Sequence, residues 1–88
     1  RKAAEQREKL RPLRKLIEKH EKTMQTAQTH LSTISEAMSD NDLYDIANKD
    51  KLQSLLADEA QWKKTLEDAE EAWFEAQDEL EQAEIELA

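Results

Sequence analysis

From Leu10 onward, seam residues recur at alternating steps of three and four: Leu10, Leu13, Ile17, His20, Met24, Ala27, Leu31, Ile34 and Met38. Such steps place side chains on one stripe of an α-helix, with residues 10, 17, 24, 31 and 38 at heptad position a and 13, 20, 27 and 34 at d. A second unbroken series runs Leu52, Leu55, Glu59, Trp62, Leu66, Ala69, Trp73, Ala76, Leu80, Ala83 and Leu87, with Glu59 its one charged member. Two such stripes can only be buried against each other or against a partner. The chain is therefore expected to be all-α and built on two long amphipathic helices.

Between the stripes lies SDNDLYDIANKD, residues 39–50. Ser39, Asp40, Asn41 and Asp42 favour local side-chain-to-backbone bonds over helix, so the first helix should stop there. Asn48 or Asp50 is the expected N-cap of the second. Leu43, Tyr44 and Ile46 are too apolar for a free loop and read as a short turn folded back to plug the end of the seam. A connection this short makes the helices antiparallel. The expected layout is helix 1 over about 2–38, the hairpin loop over about 39–49 and helix 2 over about 50–87, within one domain of residues 1–88. The opening on Arg1, already in a helix-favouring run, reads as a piece cut from a longer protein.

Charge supports the antiparallel arrangement. Residues 1–22 carry nine Lys/Arg against four acids, whereas residues 67–88 carry ten acids and no base. An antiparallel hairpin lays the basic start beside the acidic end, and a parallel one, as in a homodimer, would set acid against acid. Each exposed cross-pair contributes only a few tenths of a kcal/mol, so the charges orient more than they stabilise. Two registers remain. If facing residue numbers add to about 93, each core Ala meets a large residue, as Ala83 with Leu10, Ala76 with Ile17, Ala69 with Met24 and Ala27 with Leu66. If they add to about 86, flanking charges match better, with Arg14 near Glu70, Glu21 near Lys63 and Lys9 near Glu79, and the loop is shorter. The neighbour of Trp73, His20 or Leu13, tells them apart. Pro12 removes a helical hydrogen bond. Either the packed helix starts there, leaving a linker before it, or the helix bends.

Several chemistries are excluded. The sequence contains no Gly, so neither a phosphate-cradling loop nor a dinucleotide fingerprint is available. It contains no Cys, hence no disulfide or thiolate metal site. No apolar run approaches the roughly 20 residues that cross a bilayer. His20 and His30 stand ten apart, unlike the three- or four-residue spacing of helical zinc ligands, and His20 reads as a packing residue set against an aromatic ring. The acids have no cleft in which to act as a catalytic pair, and DNDLYD lacks the Gly and terminal Glu of a calcium loop. No enzymatic site is expected here, nor any bound cofactor or metal.

What remains are surfaces. Trp62 and Trp73 could stack bases but sit in the seam, where packing is the better reading, and Phe74 lies outside a and d, where it is expected to be exposed. Arg11, Lys15, Lys19 and Lys22 share the outer face of helix 1, with Arg1, Lys2 and Arg7 upstream. Such a row can follow a phosphate backbone with sequence-independent, salt-sensitive affinity. The competing reading is an ordinary solvated face with intrahelical pairs such as Glu18–Lys22, beside an acidic helix whose field opposes nucleic acid. That reading makes the hairpin a spacer or protein-interaction module.

The run RPLRKLIEKHEKTM, the loop DNDLYD and the late AWFEAQDELEQ together resemble the C-terminal domain of bacterial ABC-F ATPases, of the YheS type, with Uup more distant. The resemblance covers essentially the whole chain. It implies an antiparallel coiled-coil hairpin with a short 3₁₀-like turn around Leu43–Tyr44 at its tip. It also implies a parent, described as an ABC transporter ATP-binding protein, whose two cassettes handle ATP and Mg²⁺ outside these residues. Family members are cytoplasmic, lack transmembrane domains and act on ribosomes during translation. In Uup-like members this domain is associated with DNA binding, a role that would fall by position on Arg11, Arg14, Lys15, Lys19 and Lys22. The expectation is a monomeric, non-catalytic arm contacting ribosome, rRNA or DNA through helix 1 and the tip residues Leu43, Tyr44 and Ile46.

Overall fold

The computed structural model describes residues 1–87, and Ala88, the last residue of the expected domain, lies outside the described residues. Helix α1 spans Lys2–Met38 and helix α2 spans Lys49–Leu87, with 3₁₀ turns at Asn41–Tyr44 and Ile46–Asn48 between them. No strand occurs among the described residues. The helices lie antiparallel in a rod of 67 × 16 × 15 Å. The all-α hairpin with a short 3₁₀ tip, expected from the heptads and the resemblance, is the fold observed.

Every member of both seam series is buried or half-buried. The innermost residues are Leu10, Ile17, Ala27, Ile34, Leu43, Ala69 and Ala76. Burying each large aliphatic among them stabilises by about 2 kcal/mol. Glu59 stays in its seam position because its long stem packs while its carboxylate reaches Lys63 at 3.6 Å, its side chain remaining 28% exposed.

The register is the one chosen by core fit. The ring of His30 stacks on that of Trp62, centroids 4.0 Å apart and 5° from parallel. Trp73 Nε1 donates to Glu21 Oε2 at 3.3 Å. Gln6 donates to the carbonyl of Leu87. All three pairings match facing numbers near 93 and place Ala27, Ala69 and Ala76 opposite large partners. The charge-matched register is not adopted. Ion pairs closer than 4.0 Å among the described residues are all intrahelical: Glu8–Arg11, Glu59–Lys63 and Lys64–Asp68. Packing outweighs exposed pairing because small-against-large complementarity lets the backbones approach and excludes water along the whole seam.

The helix does not begin at Pro12. α1 runs through it, and the stretch before it is not a free linker, since Leu10 is buried and Gln6 bonds across to α2. The Glu8 carbonyl merely lacks its usual amide donor at an exposed position, a cost the flanking seam contacts offset.

α1 ends as its sequence dictates. Ser39 Oγ donates to the Glu36 carbonyl at 2.6 Å, and Asp40 accepts the Asp42 amide at 3.0 Å in an Asx turn. Asn48 stands just before α2, but its side-chain amide donates across the tip to the Asp42 carbonyl at 2.8 Å. Of the three apolar tip residues expected to plug the seam, only Leu43 does so, at 4% exposure. Asp45 is extended (φ −70°, ψ 150°) and breaks the tip into two turns, which sends Ile46 outward at 93% exposure. Tyr44 is also exposed, its hydroxyl donating to the Met38 carbonyl at 2.8 Å, so it caps an orphan carbonyl of α1 from outside.

Candidate nucleic-acid interface

The basic face follows from the period of α1. Residues 11, 15, 19 and 22 are four, four and three apart, so on a 3.6-residue helix they fall within a sector of roughly 80° and span about 16 Å. All four are exposed, as is Arg14. Arg11 pairs with Glu8 at 3.7 Å, a contact with both side chains more than 60% exposed and worth little. The Glu18–Lys22 pair offered by the spacing does not close within 4.0 Å. Lys15, Lys19 and Lys22 have no carboxylate that near among the described residues, so their ammonium groups face water.

Arg14 differs from the other four. It turns to the flank of the seam, where it lines a cleft of about 460 Å³ at the open end of the hairpin with Leu10, Glu84 and Leu87. It also borders a shallow depression of about 340 Å³ on α1, together with Arg7, Arg11, Lys15, Glu8 and Glu18. Four cations and two carboxylates around one depression leave a net positive surface.

The other candidates resolve by location. His20 is half-buried in the seam, one residue from Glu21, the partner of Trp73. It is His30, one position outside the seam, that stacks on an aromatic ring, a pairing hidden until the register fixes Trp62 opposite. No group of three or more metal-ligating side chains comes together among the described residues. Trp62 and Trp73 are half-buried in the seam. Phe74 projects from it, 65% exposed, and meets Trp73 edge-on with centroids 5.1 Å apart. The tip residues sit about 40 Å along the rod from Arg11 at 1.5 Å per helical residue.

Over 43 residues, 49% of this chain, the sequence is 49% identical to a Haemophilus influenzae protein, "Probable ATP-binding protein YheS". The resemblance to a YheS-type protein is thus borne out over about half of the chain. The chain is similar to a YheS ATP-binding protein. It spans only 7% of that relative's length. No protein-family model matches the chain, and no solved structure matches it. No helix among the described residues is long and apolar enough to cross a membrane.

Proposed function

We propose that this hairpin is a non-catalytic accessory domain of a cytoplasmic ABC-F-family ATP-binding protein, contacting rRNA or DNA through the basic face of α1. The observation that carries the reading is the row Arg11, Lys15, Lys19 and Lys22, exposed on one side of one helix, three of the four free of any ion pair among the described residues. Similarity to YheS supports the parent assignment. In this reading residues 1–88 form one monomeric C-terminal domain, ATP and Mg²⁺ belong to cassettes elsewhere in the parent, and Arg14 reinforces the row from its flank.

A row of four cations neutralises a few phosphates, so affinity should fall steeply with salt and depend little on sequence. Titration of the 88-residue chain against duplex DNA and structured RNA at two salt concentrations tests this. Binding at low salt that Lys15→Glu with Lys19→Glu abolishes is the expected result; no binding at low salt defeats the reading. A second reading, a structural or protein-interaction hairpin that ignores nucleic acid, draws on the fully presented Ile46 at the tip. It predicts that the same titrations stay flat.

A further inference from the structure

The outer face of the last third of α2 has a different make-up from the basic row on α1. Phe74 and Ile85 are 65% and 66% exposed, although each is large, apolar and unneeded by the seam. Eleven residues apart, they lie within roughly 20° of each other around the helix and about 16 Å apart along it. Asp78 and Glu81 fall between them in the same sector, four and seven residues after Phe74. The face therefore reads apolar, acid, acid, apolar in a straight line.

Two features distinguish this line from an ordinary solvated face. The Phe74 ring is braced from behind, edge-on against Trp73 at 74°, and Trp73 is held by its bond to Glu21 across the seam. The exposed ring is thus backed by its neighbour rather than standing alone. The carboxylates around it are also unspent. Beyond Asp68, no acid of α2 lies within 4.0 Å of a cation among the described residues, and the sequence supplies no base from 67 onward. On the neighbouring flank the surface continues into a groove of about 390 Å³ lined by Leu16 and His20 of α1 and by Ala72, Glu75, Ala76, Asp78 and Glu79 of α2.

We infer that this face of α2 docks a basic, amphipathic segment of another protein. Its apolar side chains would cover Phe74 and Ile85, and its Lys or Arg groups would meet Asp78, Glu81 and their neighbours. Charge complementarity selects that occupant. A nucleic acid is repelled by ten acids without a base, whereas a guanidinium can lie on the exposed Phe74 ring while bonding to a flanking carboxylate. Two anchors at that separation match the i, i+11 reach of a docked helix or about five residues of extended chain. The hairpin then carries two unlike faces at one end of the rod, cationic on α1 and acidic-apolar on α2.

The test uses a fluorescent synthetic helix of about 18 residues, with leucines at helical spacing and lysines elsewhere, titrated against the 88-residue chain by anisotropy. A control peptide replaces each leucine by serine. The expected result is binding of the leucine peptide, weakened about tenfold by Phe74→Ser and again by Ile85→Ser, and unchanged by Lys15→Glu. Both positions are exposed, so circular dichroism should show the helices intact, and each variant serves as a check on the other. Equal binding of the serine peptide, or wild-type affinity in both variants, would reduce the face to bulk charge and overturn the inference. So would self-association abolished by Phe74→Ser without any peptide binding, since the occupant would then be a second copy of the chain.

Discussion

Toward the tip, α1 carries no Asp, Glu, Lys or Arg from Thr23 to Ser35, and the two helices are joined there by particular contacts. These are the His30–Trp62 stack, the buried Leu43 and a web of bonds linking Met38, Asp40, Asp42, Tyr44 and Asn48. Toward the chain ends, α1 is densely basic and α2 densely acidic, yet among the described residues their charges do not pair across the seam within 4.0 Å. That half is held by Leu10, Ile17, Ala69 and Ala76, with the Trp73–Glu21 and Gln6–Leu87 bonds at its edges. The lesson is a division of labour. Order at the tip comes from directional bonds around one plug, whereas order at the ends comes from close packing, leaving the charged faces exposed to solvent.

The largest effect should come from breaking the shared core between the halves. Ala27 is 0% exposed, and it faces Leu66 in the observed register. Ala27→Asp would place an unpaired carboxylate where no water reaches and is expected to destabilise by about 4 kcal/mol or more. Urea unfolding followed by circular dichroism measures it; a loss under 1 kcal/mol would mean the seam is not the water-excluding core described. Leu43→Ala tests the tip alone and should cost about 2–3 kcal/mol. Amide exchange should quicken around residues 38–52 before it does near Ile17. Equal quickening along the whole rod would merge the two halves into one cooperative unit.

Much of the fold was legible in the sequence, and the reason is periodicity. A step pattern of three and four has one physical meaning, so both helices and every seam position could be read directly. The register needed a choice between core fit and surface charge, and the alanines opposite large residues held the answer. The tip was harder. Leu43 and Tyr44 are neighbours in one 3₁₀ turn and point to different sides of it, and the extended backbone at Asp45 turns Ile46 outward. The stacking role of His30 is not legible locally, because it depends on a residue 32 positions away. The basic row could be placed on a face by spacing alone, but that Arg14 lines a cleft with Glu84 follows from the neighbouring helix.

Two smaller changes separate the halves further. Pro12 sits within α1 at an exposed position in the end half, so Pro12→Ala should restore an amide donor for the Glu8 carbonyl and stabilise by about 1–3 kcal/mol. Slower amide exchange confined to residues 5–14 is the expected signature; destabilisation would show that the helix needs the proline's geometry. At the tip, Tyr44→Phe removes the bond to Met38 from a partly solvated site and should cost about 0.5–1 kcal/mol. No change in thermal midpoint would mean that water replaces the hydroxyl without loss.

The smallest expected effect concerns the charges themselves. Raising salt screens the attraction between the basic start of α1 and the acidic end of α2, which lowers stability. It equally screens the repulsion among the ten acids of residues 67–88, which raises it. Exposed charges at these separations lie within about one Debye length at 0.1 M salt, so both terms fade together as salt rises. With no cross-helix pair closer than 4.0 Å among the described residues to add a short-range contribution, the net change from low to high salt should stay within about 0.5 kcal/mol. Chemical unfolding in urea, which is uncharged, at the two salt levels gives the number directly. A loss well above 1 kcal/mol would show that the opposed charges hold the end half closed, and the faces assigned to partners would then be engaged with each other.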